Sequence, residues 1–193
     1  MLKDWEEMCQ LAFKARWFGT EEERALMDIG HLEAIKWGSY FEQLVLGSGV
    51  GGKIVELTDK MLRSEYYDRT KRQAEIARDF IYRGLGIPFI AAQVQMVVDL
   101  EIEGVIVPTE GNADALLGHN KIPELILDTK FTGDTTNEYG KYSWGRPEVM
   151  DMGQLVMYAE QSLIIYNLGQ YPRSMYYVAD RMKAERVEVI EPE

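Results

Sequence analysis

The run ELILDTKF, residues 124–131, places an acid and a base two residues apart, Asp128 and Lys130. In a strand, residues two apart project from the same face, so the carboxylate and the ammonium would stand side by side. A metal-bound carboxylate beside a cation suits phosphodiester hydrolysis. The metal activates water, and the lysine orients that water or stabilises charge developing on the phosphorane. A lone D-x-K is common, and its plain alternative is a surface ion pair on an edge strand. Asp114, in EGNADALL, supplies a second carboxylate at the start of the preceding strand-like run. Adjacent strands lie about 4.8 Å apart, so acids on two neighbours can share one hard cation. The alternative for Asp114 is an Asx-turn residue after Gly111 and Asn112.

Two helical segments extend the set. In KWGSYFEQLVLG, Gly38 lies four residues before Glu42. On a helix the two share a face, and the missing side chain leaves room beside the carboxylate for metal or substrate. An exposed Glu next to a helix-packing Gly is the bland alternative. In MDMGQLVMYAEQ, Gln154 and Tyr158 are spaced i,i+4, which sets an amide and a phenol on one face within reach of phosphate, water or a carboxylate. Taken alone, Tyr158 reads as core and Gln154 as surface.

The elements that must position these groups are legible as periodicities. Residues from about Asp4 to Trp17 and from about Glu21 to Leu46 read as helices. The tract GSGVGGK that follows is a turn rather than a nucleotide-binding loop, because its glycines come after a helix and not between a strand and a helix. A long amphipathic helix is predicted over residues 59–83, stopped by Gly84, Gly86 and Pro88. It is locally basic, with Arg63, Arg69 and Arg72 among its cations; a solvated, ion-paired face and a phosphate-contacting face are both open readings.

From Ile90 to Phe131 the pattern changes to strands, VQMVVDLEI, GVIVP, ADALL and ELILDTKF, with TEGN and GHNKIP as turns. A polar loop of residues 132–146 carries Tyr139, Lys141, Tyr142, Trp144 and Arg146, which combine stacking faces with positive charge; nucleic-acid contact and a flap over the core are the two readings. A helix then starts at Pro147 and runs to about Leu168 with Gly169 as its stop, and SMYYVAD and ERVEVIE close the chain as a hairpin. The order implies an α/β or α+β domain with a central mixed sheet, in a single unit spanning residues 1–193.

Composition limits the chemistry. The chain has 193 residues, one cysteine (Cys9) and two histidines (His31 and His119). An intrachain disulfide and a Cys-ligated zinc are therefore excluded, a His-rich metal site is not expected, and hard oxygen ligation remains. No apolar run approaches the roughly 18 residues of a membrane span, and the acidic start MLKDWEEMCQ lacks a secretory n-region, so a cytoplasmic location is expected. The net charge of −11 argues against coating nucleic acid by bulk electrostatics, although a local basic stripe or an acid-bound metal can act within an acidic molecule.

The ordered series G-x-x-x-E (Gly38 to Glu42), G-x-x-D (Gly111 to Asp114), I-L-D-x-K (Ile126 to Lys130) and Q-x-x-x-Y (Gln154 to Tyr158) resembles the PD-(D/E)XK nucleases, in particular their RecB-like and lambda-exonuclease-like branch. The resemblance covers residues 38–158. It implies a restriction-endonuclease-like αβββαβ core with an extra N-terminal helical part. It also implies Mg²⁺ or Mn²⁺ held by Glu42, Asp114, Asp128 and the Thr129 carbonyl, with Lys130, Gln154 and Tyr158 completing the catalytic set. The implied activity is DNA hydrolysis, as an exonuclease of recombination or repair, in the cytoplasm or in the host cytoplasm for a viral protein. A homo-oligomer or a recombination partner protein would suit such an enzyme. A catalytically silent DNA-binding or assembly subunit is the alternative. The family's commoner Glu before x-K is Asp128 here, and the four cysteines of its iron-sulfur members are missing, so no iron-sulfur cluster is expected.

Overall fold

The computed structural model describes residues 20, 32–49, 52–102, 104–133, 135–136, 146, 152–183 and 187–191. The chain divides into two compact units, residues 1–36 and 37–193. The helix expected over residues 4–17 and the first part of that expected over 21–46 lie outside the described residues.

Helix α1 (Leu32–Leu46) is followed by a single turn, α2 (Asp59–Leu62), and by α3 (Tyr66–Asp79), which ends in a π-helical turn, Phe80–Gly84. Residues 59–83 were expected as one helix, and the structure breaks it at Arg63–Glu65. The Ser64 hydroxyl accepts the Tyr66 amide at 3.2 Å, a local bond that competes with helix continuation. Three strands follow, β1 (Phe89–Ile102), β2 (Val105–His119) and β3 (Ile122–Thr132), then helix α4 (Gly153–Ile165), β4 (Arg173–Asp180) and β5 (Val187–Ile190). They form one mixed sheet in the order β1-β2-β3-β4-β5, with β3 and β4 parallel and the other pairs antiparallel. A parallel pair needs a crossover, and α4 provides it. Among the described residues no helix is long and apolar enough to cross a membrane.

Two further details depart from the sequence reading. TEGN is not a turn: β2 runs straight through it, with Glu110, Gly111 and Asn112 paired to Val97, Met96 and Gln95. Its turn-type residues serve packing instead. Thr109 donates to the Val98 carbonyl at 2.7 Å, and a Cβ on Gly111 would lie 2.6 Å from the Tyr158 ring. The last helix also stops before Gly169. Asn167 takes the left-handed conformation (φ 49°), its amide bonding Ile164 and that of Leu168 bonding Leu163, which is a Schellman ending with Asn in the glycine position.

The central strands of the sheet are buried on both faces. On one, Phe41, Val45 and Leu46 of α1 and Ala74 and Ala77 of α3 pack on Ala115, Leu117, Leu125, Leu127, Met175, Tyr177 and Ala179. On the other, Leu155 and Tyr158 of α4 pack on Met96, Ala113, Leu116, Ile126, Tyr176 and Val178. Alternation along β3 and β4 delivers their residues to the two faces in turn. In β2 the alternation is interrupted, because Ala113 and Ala115, two apart, lie in different cores. The same happens in β1 between Ala92 and Val94. The residues at those two steps are Asp114 and Gln93.

The β2–β3 connection is a two-residue turn with both Asn120 and Lys121 at positive φ (52° and 65°), the geometry of a type I′ hairpin. Register slips by one between Leu117 and Gly118, and a Cβ on Gly118 would sit 2.0 Å from the Ile122 carbonyl oxygen. That neighbour is backbone and cannot rotate away. Gly118→Ala is expected to destabilise the protein by about 3 kcal/mol or more, the upper end of overpacking costs, as read by urea unfolding.

Candidate functional site

The antiparallel pairing of β2 with β3 runs only between Ala115–Leu127 and His119–Ile122. Beyond Ala115 the first strand leaves the second and continues with β1, while β3 continues with β4 to Thr132. The site lies where they part. Asp114 is the first β2 residue past the last pair, and Asp128 is the first on β3. Both are buried, at 7% and 1% exposure.

Parting leaves polar groups that need partners, and the site's side chains supply them. The Thr129 amide and hydroxyl both donate to Asp114 Oδ2, at 2.6 and 2.8 Å. Lys130 Nζ makes an ion pair with Asp128 Oδ2, and lies 5.6 Å over the Tyr176 ring. From α4, Gln154 Nε2 donates to Asp128 Oδ1 at 3.1 Å and to the Tyr158 hydroxyl oxygen at 2.7 Å. That hydroxyl donates in turn to the Asn112 carbonyl at 2.9 Å. From the opposite face, Glu42 on α1 reaches the same place: Gln93 Nε2 donates to Glu42 Oε2 at 3.4 Å and to Asp114 Oδ1 at 3.5 Å. Asn112 Nδ2 donates to Gln93 Oε1 at 2.8 Å.

The structure thus brings Glu42, Asp114, Asp128, Thr129, Lys130, Gln154 and Tyr158 together. Two glycines of the motifs acquire reasons. Gly111 lets Tyr158 lie against β2, and a Cβ on Gly38 would meet nothing within 4 Å, so the space expected beside Glu42's helix face is open. The sequence reading missed Gln93 and Asn112. A polar Gln in the strand run AAQVQ was the available signal, but its position opposite Asp114 follows only from the hairpin register.

The nucleic-acid candidates do not gather in the same way. Arg63 and Arg72 are exposed on the α2–α3 stretch. Arg69 is partly buried, pairs with Glu65 at 3.2 Å and donates to the Met182 carbonyl at 3.4 Å, so it ties α3 to the segment after β4. Arg146 is exposed, and Tyr139, Lys141, Tyr142 and Trp144 lie outside the described residues.

Electrostatics sets what the arrangement can do. Burial, then the charges of Asp114 and Asp128, push Glu42 up to about 8 from 4.5 against opposing effects of Lys130 and Gln93. Burial raises Asp128 to about 7, with Lys130 pulling down and Asp114 pushing up. Asp114 is raised by burial against Lys130, Thr129 and Gln93. Burial disfavours the charge on Lys130, yet Asp128 and Asp114 outweigh it and hold Lys130 above its ordinary value. Three carboxylates against one ammonium leave an excess of two negative charges when all are ionised. The donors are all oxygen, which matches Mg²⁺ or Mn²⁺. Among the described residues no group of three His, Cys, Asp or Glu side chains stands as a ready metal cage. The amide of Gln93 and the ammonium of Lys130 lie against the carboxylates instead.

No protein-family model matches this chain, and comparison with curated proteins finds no match. Among solved structures, a candidate exonuclease from Eubacterium rectale is similar at 16% identity and a TM-score of 0.42, over 100% of this chain and 62% of that one.

The raised pKa of Glu42 has a thermodynamic consequence. The folded state binds a proton more tightly than the unfolded state, so this group's stability contribution is present below about 4.5 and is lost as pH rises through about 8. In chelator at pH 8, Glu42→Gln is expected to raise Tm by several degrees, since each 1 kcal/mol corresponds to about 2–4 °C in a chain of this size. The gain should shrink as pH is lowered toward about 5, where the native carboxyl is protonated in the fold; differential scanning calorimetry across pH checks it.

Proposed function

We propose that this chain is a divalent-metal-dependent DNA nuclease of the PD-(D/E)XK type, hydrolysing phosphodiester bonds as an exonuclease in recombination or repair. The observation that carries the reading is the convergence, at the point where β2 leaves β3, of Glu42, Asp114, Asp128, Lys130, Gln154 and Tyr158 from opposite faces of the sheet. The fold order supports it: a helix, three antiparallel strands, a crossover helix and a parallel strand. DNA as substrate, a cytoplasmic setting, and a ring-forming second copy or a recombination partner that keeps the enzyme on its substrate belong to the same proposal.

Glu42, Asp114 and Asp128 would hold Mg²⁺ or Mn²⁺, with the Thr129 carbonyl as a further ligand. When bound there, such an ion would supply Lewis acidity for activating water and for balancing charge on the leaving oxygen. Thr129 fixes one oxygen of Asp114 through two hydrogen bonds, and the other accepts from the Gln93 amide that also reaches Glu42. Lys130, held protonated by Asp128 and Asp114, carries positive charge to the place where negative charge develops on phosphorus. Gln154 orients Asp128, and Tyr158 fixes Gln154 to the β2 backbone.

A second reading, a DNA-holding module without catalysis, fits one observation: the Gln93 amide and the Lys130 ammonium already engage the carboxylates. One assay separates the two. End-labelled linear and closed circular DNA are incubated with Mg²⁺, Mn²⁺ or chelator, using the intact protein, Lys130→Ala and Asp128→Asn. The expected result is metal-dependent loss of linear DNA only, slowed about 10²–10³-fold or more by either substitution. Cutting of circles would replace exonuclease by endonuclease. Inactivity of all three proteins on DNA would overturn the nuclease reading in favour of the binding module.

A further inference from the structure

Gln93 stands in a conformation that strands do not use. Its φ is 51°, inside β1, where a left-handed non-glycine residue is uncommon and strained. Counting the register from Ala92–Ala115 and Val94–Ala113 places it opposite Asp114. At this step both strands switch which core they face, as Ala92 and Val94, and Ala113 and Ala115, show. The distortion aims a neutral amide between two acids. Nε2 lies 3.4 Å from Glu42 Oε2 and 3.5 Å from Asp114 Oδ1, and Asn112 holds the other end of the amide by donating to Oε1 at 2.8 Å. Because Asn112 Nδ2 and Gln93 Nε2 can only donate, the pairing fixes the amide with its nitrogen toward the carboxylates.

We propose that Gln93 is a positioning residue that stands in for the cation. In the metal-free protein its amide nitrogen occupies the place between Glu42 and Asp114, and metal entry displaces it. This rests on the metal-binding part of the proposed function. The amide gives the half-buried Glu42 and the buried Asp114 a shared donor, in addition to the charge of Lys130 that acts on both. The bonds are long for an amide and a carboxylate, beyond the usual 2.7–3.2 Å or so, so the placeholder is held loosely enough to leave.

The alternative role, a support that holds the carboxylates when the metal is bound, predicts the opposite response to removal. Gln93→Gly deletes the amide and accepts the positive φ without strain, so the variant keeps the strand geometry. Mn²⁺ binding to the intact protein and to Gln93→Gly is measured by calorimetric titration. The placeholder role gives affinity on the order of threefold to tenfold tighter in the variant, because no amide–carboxylate bonds need to break. Unchanged or weaker binding overturns it while leaving the metal site intact. Absence of binding to the intact protein sinks both this inference and the metal-dependent reading. Independently, with ¹⁵N-glutamine labelling, the side-chain amide signal absent from Gln93→Gly should move on Mg²⁺ titration of the intact protein; a signal that stays in place overturns displacement.

Discussion

The site depends on β2 abandoning β3 after the Ala115–Leu127 pair. A strand buried on both faces has its backbone groups satisfied by the ladder, and when a neighbour leaves, each freed amide needs a new acceptor. At Thr129 that acceptor is the carboxylate of Asp114, which takes both the amide and the hydroxyl. The acid therefore replaces a lost strand bond as well as facing the site. Asp128 and Lys130 stand on the strand that remains, alternating with Leu127, Thr129 and Phe131, of which Leu127 and Phe131 pack in the core. The geometry of the polar cluster follows from where the ladder ends.

That position also makes the cluster electrostatically incomplete. Its carboxylates lie in the seam between two apolar cores, and burial is the largest influence on each of them. One lysine cannot neutralise three acids, and raised carboxylate pKa values together with amide donors from Gln93 and Gln154 make up part of the difference. On the proposed reading, such a site favours whatever brings positive charge without adding bulk. A small divalent cation satisfies both conditions and removes an excess of two charges at once. The features that weaken the site alone are those that would make it a good cation receptor.

The sequence showed the site more readily than it showed the local backbone. Spacing put Asp128 and Lys130 on one face of a strand and Gln154 and Tyr158 on one face of a helix, because periods of 2 and 3.6 are local properties. Turn chemistry misled where tertiary packing overrode it. Gly111 and Asn112 are turn residues by propensity, but here the glycine makes way for Tyr158 and the asparagine joins two networks. Ser64 broke a helix that amphipathic pattern alone would continue. For Gln93 the polar residue in the run AAQVQ was the only local signal, because its place opposite Asp114 and its positive φ follow from the folded register and not from any pattern of polarity.

The overall charge of −11 bears on how an enzyme of the proposed kind would meet DNA. A polyanion approaching an acidic protein is repelled at long range, and within a Debye length of about 8 Å local charges decide the outcome. The α2–α3 stretch has cations, but Arg69 is already committed to Glu65 and to the Met182 carbonyl, so its positive charge is partly internal. At the site itself the three carboxylates would repel a phosphate until their charge is balanced. Lys130 is held by the same acids and cannot offset them alone. On the proposed reading, then, the cation has a part in binding as well as in chemistry: it converts the seam from a place that rejects phosphate into one that accepts it. Metal and substrate should therefore bind cooperatively, and the acidic balance of the chain becomes a reason for metal dependence rather than an objection to it.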